Sequence, residues 1–138
     1  MARAKARIIV AGGRDFDDYD LMTEVLDQII SSIKEIHEDI HNIETDIEIV
    51  SGMAVGADFL GIRYGIEHNI PVHPCEPQFW EYGTHAGIVR NREMARYASE
   101  SDYGRLVAFW NGKSQGTKNM IDVANTYKLL VDTISYSK

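Results

Sequence analysis

The sequence predicts a single α/β domain over residues 1–138, built on a doubly wound parallel sheet. Three observations carry that expectation. Short runs rich in branched residues alternate with longer stretches of helical periodicity, which implies parallel strands joined by helices on both faces. Glycine clusters close several of the runs. A length of 138 residues suits one hydrophobic core and is short for two.

Each element has its own signal. RIIVAG, at 7–12, is a buried strand by its branched residues and glycine stop, preceded by a ragged basic leader. The apolar run is too short for a signal peptide and continues into GGRDF where a cleavage site would lie. In the helix that follows, Phe16 and Leu21 fit a hydrophobic staple around Asp17 as N-cap, with Asp20 in the capping-box place. Met22, Val25, Ile29, Ile33, Ile36, Ile40 and Ile43 recur every three or four residues, an apolar face on a long helix that breaks near Asn42. DIEIVSG, at 46–52, is the second strand. A helix over 54–69 follows, with Phe59, Tyr64 and Ile66 as core contacts. A short strand at 71–75 leads to an irregular loop through Trp80 and Tyr82. A helix over 85–100, the strand RLVAFW at 105–110, a helix over 116–127 and the strand LLVDTISY at 129–136 complete the chain.

The bulk numbers exclude several classes of function. A net charge of -7 argues against tracking along nucleic acid, where affinity comes from neutralising phosphates with Lys and Arg. No apolar run approaches a membrane span. The single cysteine, Cys75, cannot form an internal disulfide and suits a reducing, cytoplasmic compartment. No metal or cofactor site is expected: the histidines are scattered, and His37 and His41 lie among Glu35, Glu38 and Asp39 as an ordinary solvated face.

In doubly wound sheets ligands bind beyond the carboxyl ends of the strands, where strand order reverses. That rule gives three glycine clusters one address, each opening a helix with unpaired backbone N–H groups for an anion. In the first, Gly12 and Gly13 let backbone approach a ligand while Arg14 forks a phosphate or carboxylate; the plainer alternative is a tight turn with a solvated arginine. Asp15 stands beside them. In the second, Ser51, Gly52, Met53, Gly56 and Asp58 surround a helix start, and Asp58 either caps the helix or grips a ribose hydroxyl. In the third, Asn111, Gly112, Lys113, Ser114, Gly116, Thr117 and Lys118 form a basic, hydroxyl-rich cup, and Trp110 beside it is assigned to the core. Gly112-Lys113-Ser114 spells part of a P-loop, but Val107 stands where that motif needs its first glycine. Arg90 and Arg92 point to nearly opposite sides of a regular helix. Arg90, next to Asn91, is assigned to the ligand.

GGRDF, SGMAVGAD, the run HAGIVRNREM and FWNGKSQGTKNMI together resemble the small YspA-type branch of the SLOG superfamily. This Rossmann-like group also holds the Lonely Guy phosphoribohydrolases, the lysine-decarboxylase-like proteins and the DNA-processing protein A core. The resemblance implies a nucleotide or nucleotide-derived small molecule as partner, ADP-ribose-like or cyclic-nucleotide-like. It would be held by a sensor or sequestering protein, in bacterial defence or phage counter-defence. Two departures stand out: Met120 occupies the place of the catalytic glutamate in the phosphoribohydrolase motif, and Ile88 stands where AGPIRN-type sequences have proline. A phosphoribohydrolase would therefore depend on another acid, with Asp58 and Glu93 as candidates. Single-stranded DNA binding ranks third. Relatives assemble, so a homodimer or higher homo-oligomer is expected, with Phe79 and Trp80 among its apolar surface.

Overall fold

The apolar run at 7–12 is the inner half of a longer strand, β1 (Ala2–Gly12). The structure, a computed structural model, describes residues 2–138; Met1 of the expected domain lies outside them. The leader is drawn into the sheet by pairing from Ala2 opposite Ile43 onward. Arg3 fastens it, reaching Glu44 at 2.7 Å and Asp46 at 2.6 Å on the neighbouring strand. The sequence-based start at residue 7 is therefore corrected, because pairing supplies the β structure that the Ala-Arg-Ala-Lys composition does not favour.

Chain order then runs α1 (Tyr19–Lys34), a π-helical turn (Glu35–Ile40), β2 (Ile43–Ser51), α2 (Ala57–Glu67), β3 (Val72–Pro74) and α3 (Phe79–Tyr82). A 3₁₀ turn (Gly83–His85) leads to α4 (Ala86–Ser99), β4 (Tyr103–Trp110), α5 (Gln115–Thr126) and β5 (Leu130–Ser135). All strands are parallel, in the order β3-β2-β1-β4-β5. The chain winds outward from β1 to β3, crosses to β4 and winds out the other way. With right-handed crossovers this puts the two sets of helices on opposite faces.

The core follows that division. Ile8 and Val10 of β1 and Val107 and Phe109 of β4 face α1 and α2. Ile9, Ala11, Leu106 and Ala108 face α4 and α5. Successive residues alternate between two apolar layers, which explains why these strands read as continuous hydrophobic runs. Phe16 stacks on Phe109 at 4.5 Å, anchoring the loop after β1 to the end of β4.

Several local expectations are corrected. The N-cap of α1 is Asp18, whose carboxylate accepts the Leu21 N–H at 3.1 Å, so Asp17 and Asp20 do not form the capping box. The α-helix ends at Lys34 and the π-helical turn that prolongs it ends at Ile40, before Asn42 with its φ of 56°; Ile36 and Ile40 in that turn are 48% and 67% exposed and so leave the apolar face, and Ile43 opens β2. The segment expected as an irregular loop contains α3, and Trp80 on it is exposed. Tyr64 is buried as expected, whereas Phe59 and Ile66 lie on the outer side of α2 in solvent. Trp110 is half-buried, with its indole N–H donated to the Ser114 carbonyl at 3.0 Å.

Candidate functional site

Beyond the ends of β1, β2 and β4, at the reversal of strand order, the loops close on a small cleft of about 90 Å³. Gly12, Arg14, Asp58, Arg90, Ser114 and Thr117 are among its lining. A larger cleft of about 580 Å³ lies elsewhere, between the far ends of α1 and α2 and the start of β2. The chemistry of the glycine loops belongs to the small one.

The first two loops are locked together by backbone. Gly56 has φ 85°, and a Cβ on it would overlap the carbonyls of Gly13 and Arg14. The Ala57 N–H then bonds the Gly13 carbonyl at 3.2 Å. Only glycine fits both the backbone and the space. Gly52 has a different constraint: a Cβ there would stand 2.8 Å from the Asp58 carboxylate and 3.0 Å from Arg90 Nε. The two charged groups thus close over Gly52 from separate elements. Met53, next in the chain, holds a left-handed φ of 65°, a conformation that costs a non-glycine residue about 1–2 kcal/mol.

Asp58 is the buried acid of the site, at 4% exposure. Its carboxylate accepts the Ala54 N–H at 3.3 Å and does not cap α2, where Gly56 holds the N-cap position. Burial pushes its pKa up to about 6, with Arg90, the Ala54 amide, Arg14 and the Gly12 amide opposing the rise. The Ser51 hydroxyl, also buried, donates to the Asp58 carbonyl at 3.2 Å and accepts the Met53 N–H at 3.2 Å.

Arg90 is half-buried and donates to the Gly52 carbonyl at 3.1 Å and to Asn91 Oδ1 at 3.4 and 3.2 Å. These bonds occupy three of the five guanidinium N–H groups and leave two for a ligand. Burial lowers its pKa, Asp58 opposes that, and Arg14 adds to it. Arg92, two residues on, is exposed and does not line the cleft, so helix geometry separates the pair as expected. Asn91 is buried and fully engaged: besides accepting from Arg90, it donates to Asn119 at 2.8 Å and to the Gly116 carbonyl at 3.4 Å. It positions Arg90 and joins α4 to α5.

The third cluster is less open than its composition implies. Asn111 accepts the N–H groups of Lys113 at 2.8 Å and Ser114 at 2.9 Å, and Ser114 caps α5 by accepting from Thr117 at 3.3 Å. Those amides are already satisfied. The Lys118 ammonium pairs with Asp122 at 3.0 Å on the outer side of α5, and Lys113 and Gly112 are exposed beyond the cleft. Ser114, Gly116 and Thr117 remain as the lining, together with the buried Met120.

Arg14 stands exposed between the cleft and an adjoining open groove that runs past Phe59 and Lys138, and it makes no polar contact among the described residues. Asp15 is turned away to accept the Tyr136 hydroxyl at 2.6 Å. That tyrosine, 121 positions along the chain, also packs its ring against Phe16 at 5.0 Å. Glu93 is half-buried on the side of α4 nearer Cys75 and does not line the cleft. Sequence reasoning thus missed Ala54, Asn119 and Tyr136, whose roles come from long-range contacts. Among the described residues no three His, Cys, Asp or Glu side chains converge to hold a metal, and no helix is long and apolar enough to cross a membrane.

The family model of the YspA, cpYpsA-related SLOG family matches residues 6–82, from β1 to the end of α3. It therefore spans the first two glycine loops, while Arg90 and the third loop lie past its end. The X-ray structure of DNA processing protein A (DprA) from Streptococcus pneumoniae superposes with a TM-score of 0.61 at 15% identity, over 97% of this chain and 51% of that one. The chain thus spans about half the length of that protein, and the likeness is one of fold: a Rossmann-like, all-parallel sheet flanked by helices. No curated protein matches by sequence.

Proposed function

The chain belongs to the YspA, cpYpsA-related SLOG family, and from that premise we propose that it binds a nucleotide-derived small molecule at the cleft beyond β1, β2 and β4. The observation that carries the reading is the meeting of Arg14, Arg90 and the buried Asp58 at the switch point of the sheet. Two guanidinium groups suit a phosphate. A buried acceptor with a raised pKa suits the hydroxyl of a ribose, which can share or give a hydrogen bond in either protonation state. A cleft of about 90 Å³ seats a phosphoryl group or part of a sugar, far less than the ~300 Å³ or more of a typical ligand pocket. The remainder of the ligand lies along the open groove beyond Arg14. An ADP-ribose-like or cyclic-nucleotide-like molecule fits that division, and the protein acts as its sensor or sequestering agent in defence or counter-defence.

One observation favours a second reading, hydrolysis of an N-glycosidic bond in a nucleoside 5′-monophosphate. Asp58 titrates near 6, in the range useful for general acid–base catalysis, although Met120 lines the cleft where related hydrolases carry a glutamate. The test is incubation with nucleotides, ADP-ribose forms and cyclic dinucleotides, reading thermal stabilisation alongside chromatography of the recovered ligand. Stabilisation with the ligand intact supports binding. Release of free base, abolished by Asp58→Asn, supports the enzyme. Tight, strongly salt-dependent binding to oligonucleotides without a response to small molecules would replace both.

A further inference from the structure

Four large apolar side chains stand in water around the segment that joins β3 to α4. Trp80 is 82% exposed, Phe79 62%, Ile88 42% and Tyr82 39%. Only the 3₁₀ turn separates α3 from α4 and the two helices contact each other, so the four fall within one short segment of the chain. Exposed apolar side chains gathered in one segment mark a candidate interaction surface.

The charges around it are arranged by sign. Glu76 and Glu81 lie on the α3 side. On α4, Arg92 and Arg96 continue the exposed line of Ile88 at four-residue spacing. Arg96 pairs with Glu100 at 3.6 Å, whereas Glu76, Glu81 and Arg92 make no ion pair among the described residues. The patch therefore has an apolar centre with acid on one side and arginine on the other. We propose that it is a two-fold interface with a second copy of this chain, the acidic side of each protomer facing the arginine side of the other. A two-fold contact forms each such pair twice, and Trp and Arg are the side chains that most often dominate interface energy.

A second exposed stripe, Phe59 and Ile66 on α2, lacks this property: Arg63 and Glu67 beside it already pair with each other at 3.0 Å. It serves as the control. The proposed surface lies outside the ligand cleft, so its failure and the failure of the binding proposal are separate results.

The test is sedimentation over a concentration series up to about 100 μM. The wild-type chain is expected to dimerise. Trp80→Ser should raise the dimer dissociation constant by about 30-fold or more, the mark of a dominant contact. Glu81→Arg and Arg92→Glu should each weaken the dimer, and the double reversal should restore it. Ile66→Ser should leave it unchanged. All four positions are exposed, and circular dichroism with a thermal melt verifies that the variants fold. A monomeric wild type, a dimer indifferent to Trp80→Ser, or a double reversal no better than the single ones would overturn the proposal. So would a monomer whose fluorescence is quenched by nucleotide in the wild type and not in Trp80→Ser, which keeps Trp110; that would make the aromatic patch a base-stacking platform.

Discussion

Replacing Asp58 by Asn should make the folded protein more stable, and more so at high pH. The carboxyl titrates near 6 in the folded state, against an ordinary value near 3.8. Ionising it inside the cleft is therefore about 3 kcal/mol costlier than in the unfolded chain. The sign follows from proton counts. Below the unfolded value both states hold the proton and nothing is lost. As pH rises towards 6 the unfolded chain releases its proton first, so stability falls; above 6 both states are ionised and the whole cost is present. Asparagine keeps the shape and can still accept the Ala54 N–H, but carries no charge to desolvate. The advantage of Asp58→Asn should be about 3 kcal/mol at pH 8 and about half of that at pH 5. Urea unfolding of both proteins at the two pH values, at constant ionic strength, measures the difference. Other titrating groups cancel in the comparison. A variant less stable than wild type at pH 8, or an advantage equal at both pH values, would refute the reasoning. Ligand affinity should move the other way and fall, since a carboxylate kept at a stability cost is what a functional site retains.

Gly56→Ala should lose about 2 kcal/mol or more and lower the melting temperature by several degrees, because its φ of 85° is strained for alanine and the new methyl meets the Gly13 and Arg14 carbonyls. Arg14→Ala should leave stability within about 0.5 kcal/mol, since the side chain is exposed and has no polar contact among the described residues. Calorimetric titration of that variant with a phosphate-bearing ligand should show affinity lowered by about tenfold or more and less sensitive to salt. Phe109→Ala should cost about 3–5 kcal/mol in chemical denaturation, as it removes a fully buried ring and leaves Phe16 without its stacking partner.

Much of the fold was readable because its signals are local. The run RIIVAG with its closing Gly12 and the helical spacing from Met22 to Ile33 each lie within one element, and each formed as expected. The separation of Arg90 from Arg92 needed only the 100° turn per residue of a helix. The leader at Ala2–Ala6 was not readable, since its strand structure depends on a partner some forty positions away. Phe59 and Ile66 misled for a related reason: hydrophobicity states what a side chain prefers, while a place on the outer side of α2 decides whether anything covers it.

By itself the sequence determined the alternation of strand and helix, the glycine loops at the strand ends and the charge types they carry, because covalent spacing and local conformation settle these. Only the tertiary structure decided which of those groups remain free. Asn111 had already taken the amides of Lys113 and Ser114, Asp122 had drawn off Lys118, and Tyr136 had claimed Asp15 from the far end of the chain. It also buried Asp58 beneath loops from separate elements, raising its pKa to about 6. Hydrogen-bond choice and desolvation are properties of groups brought together in space, and spacing along the chain does not encode them.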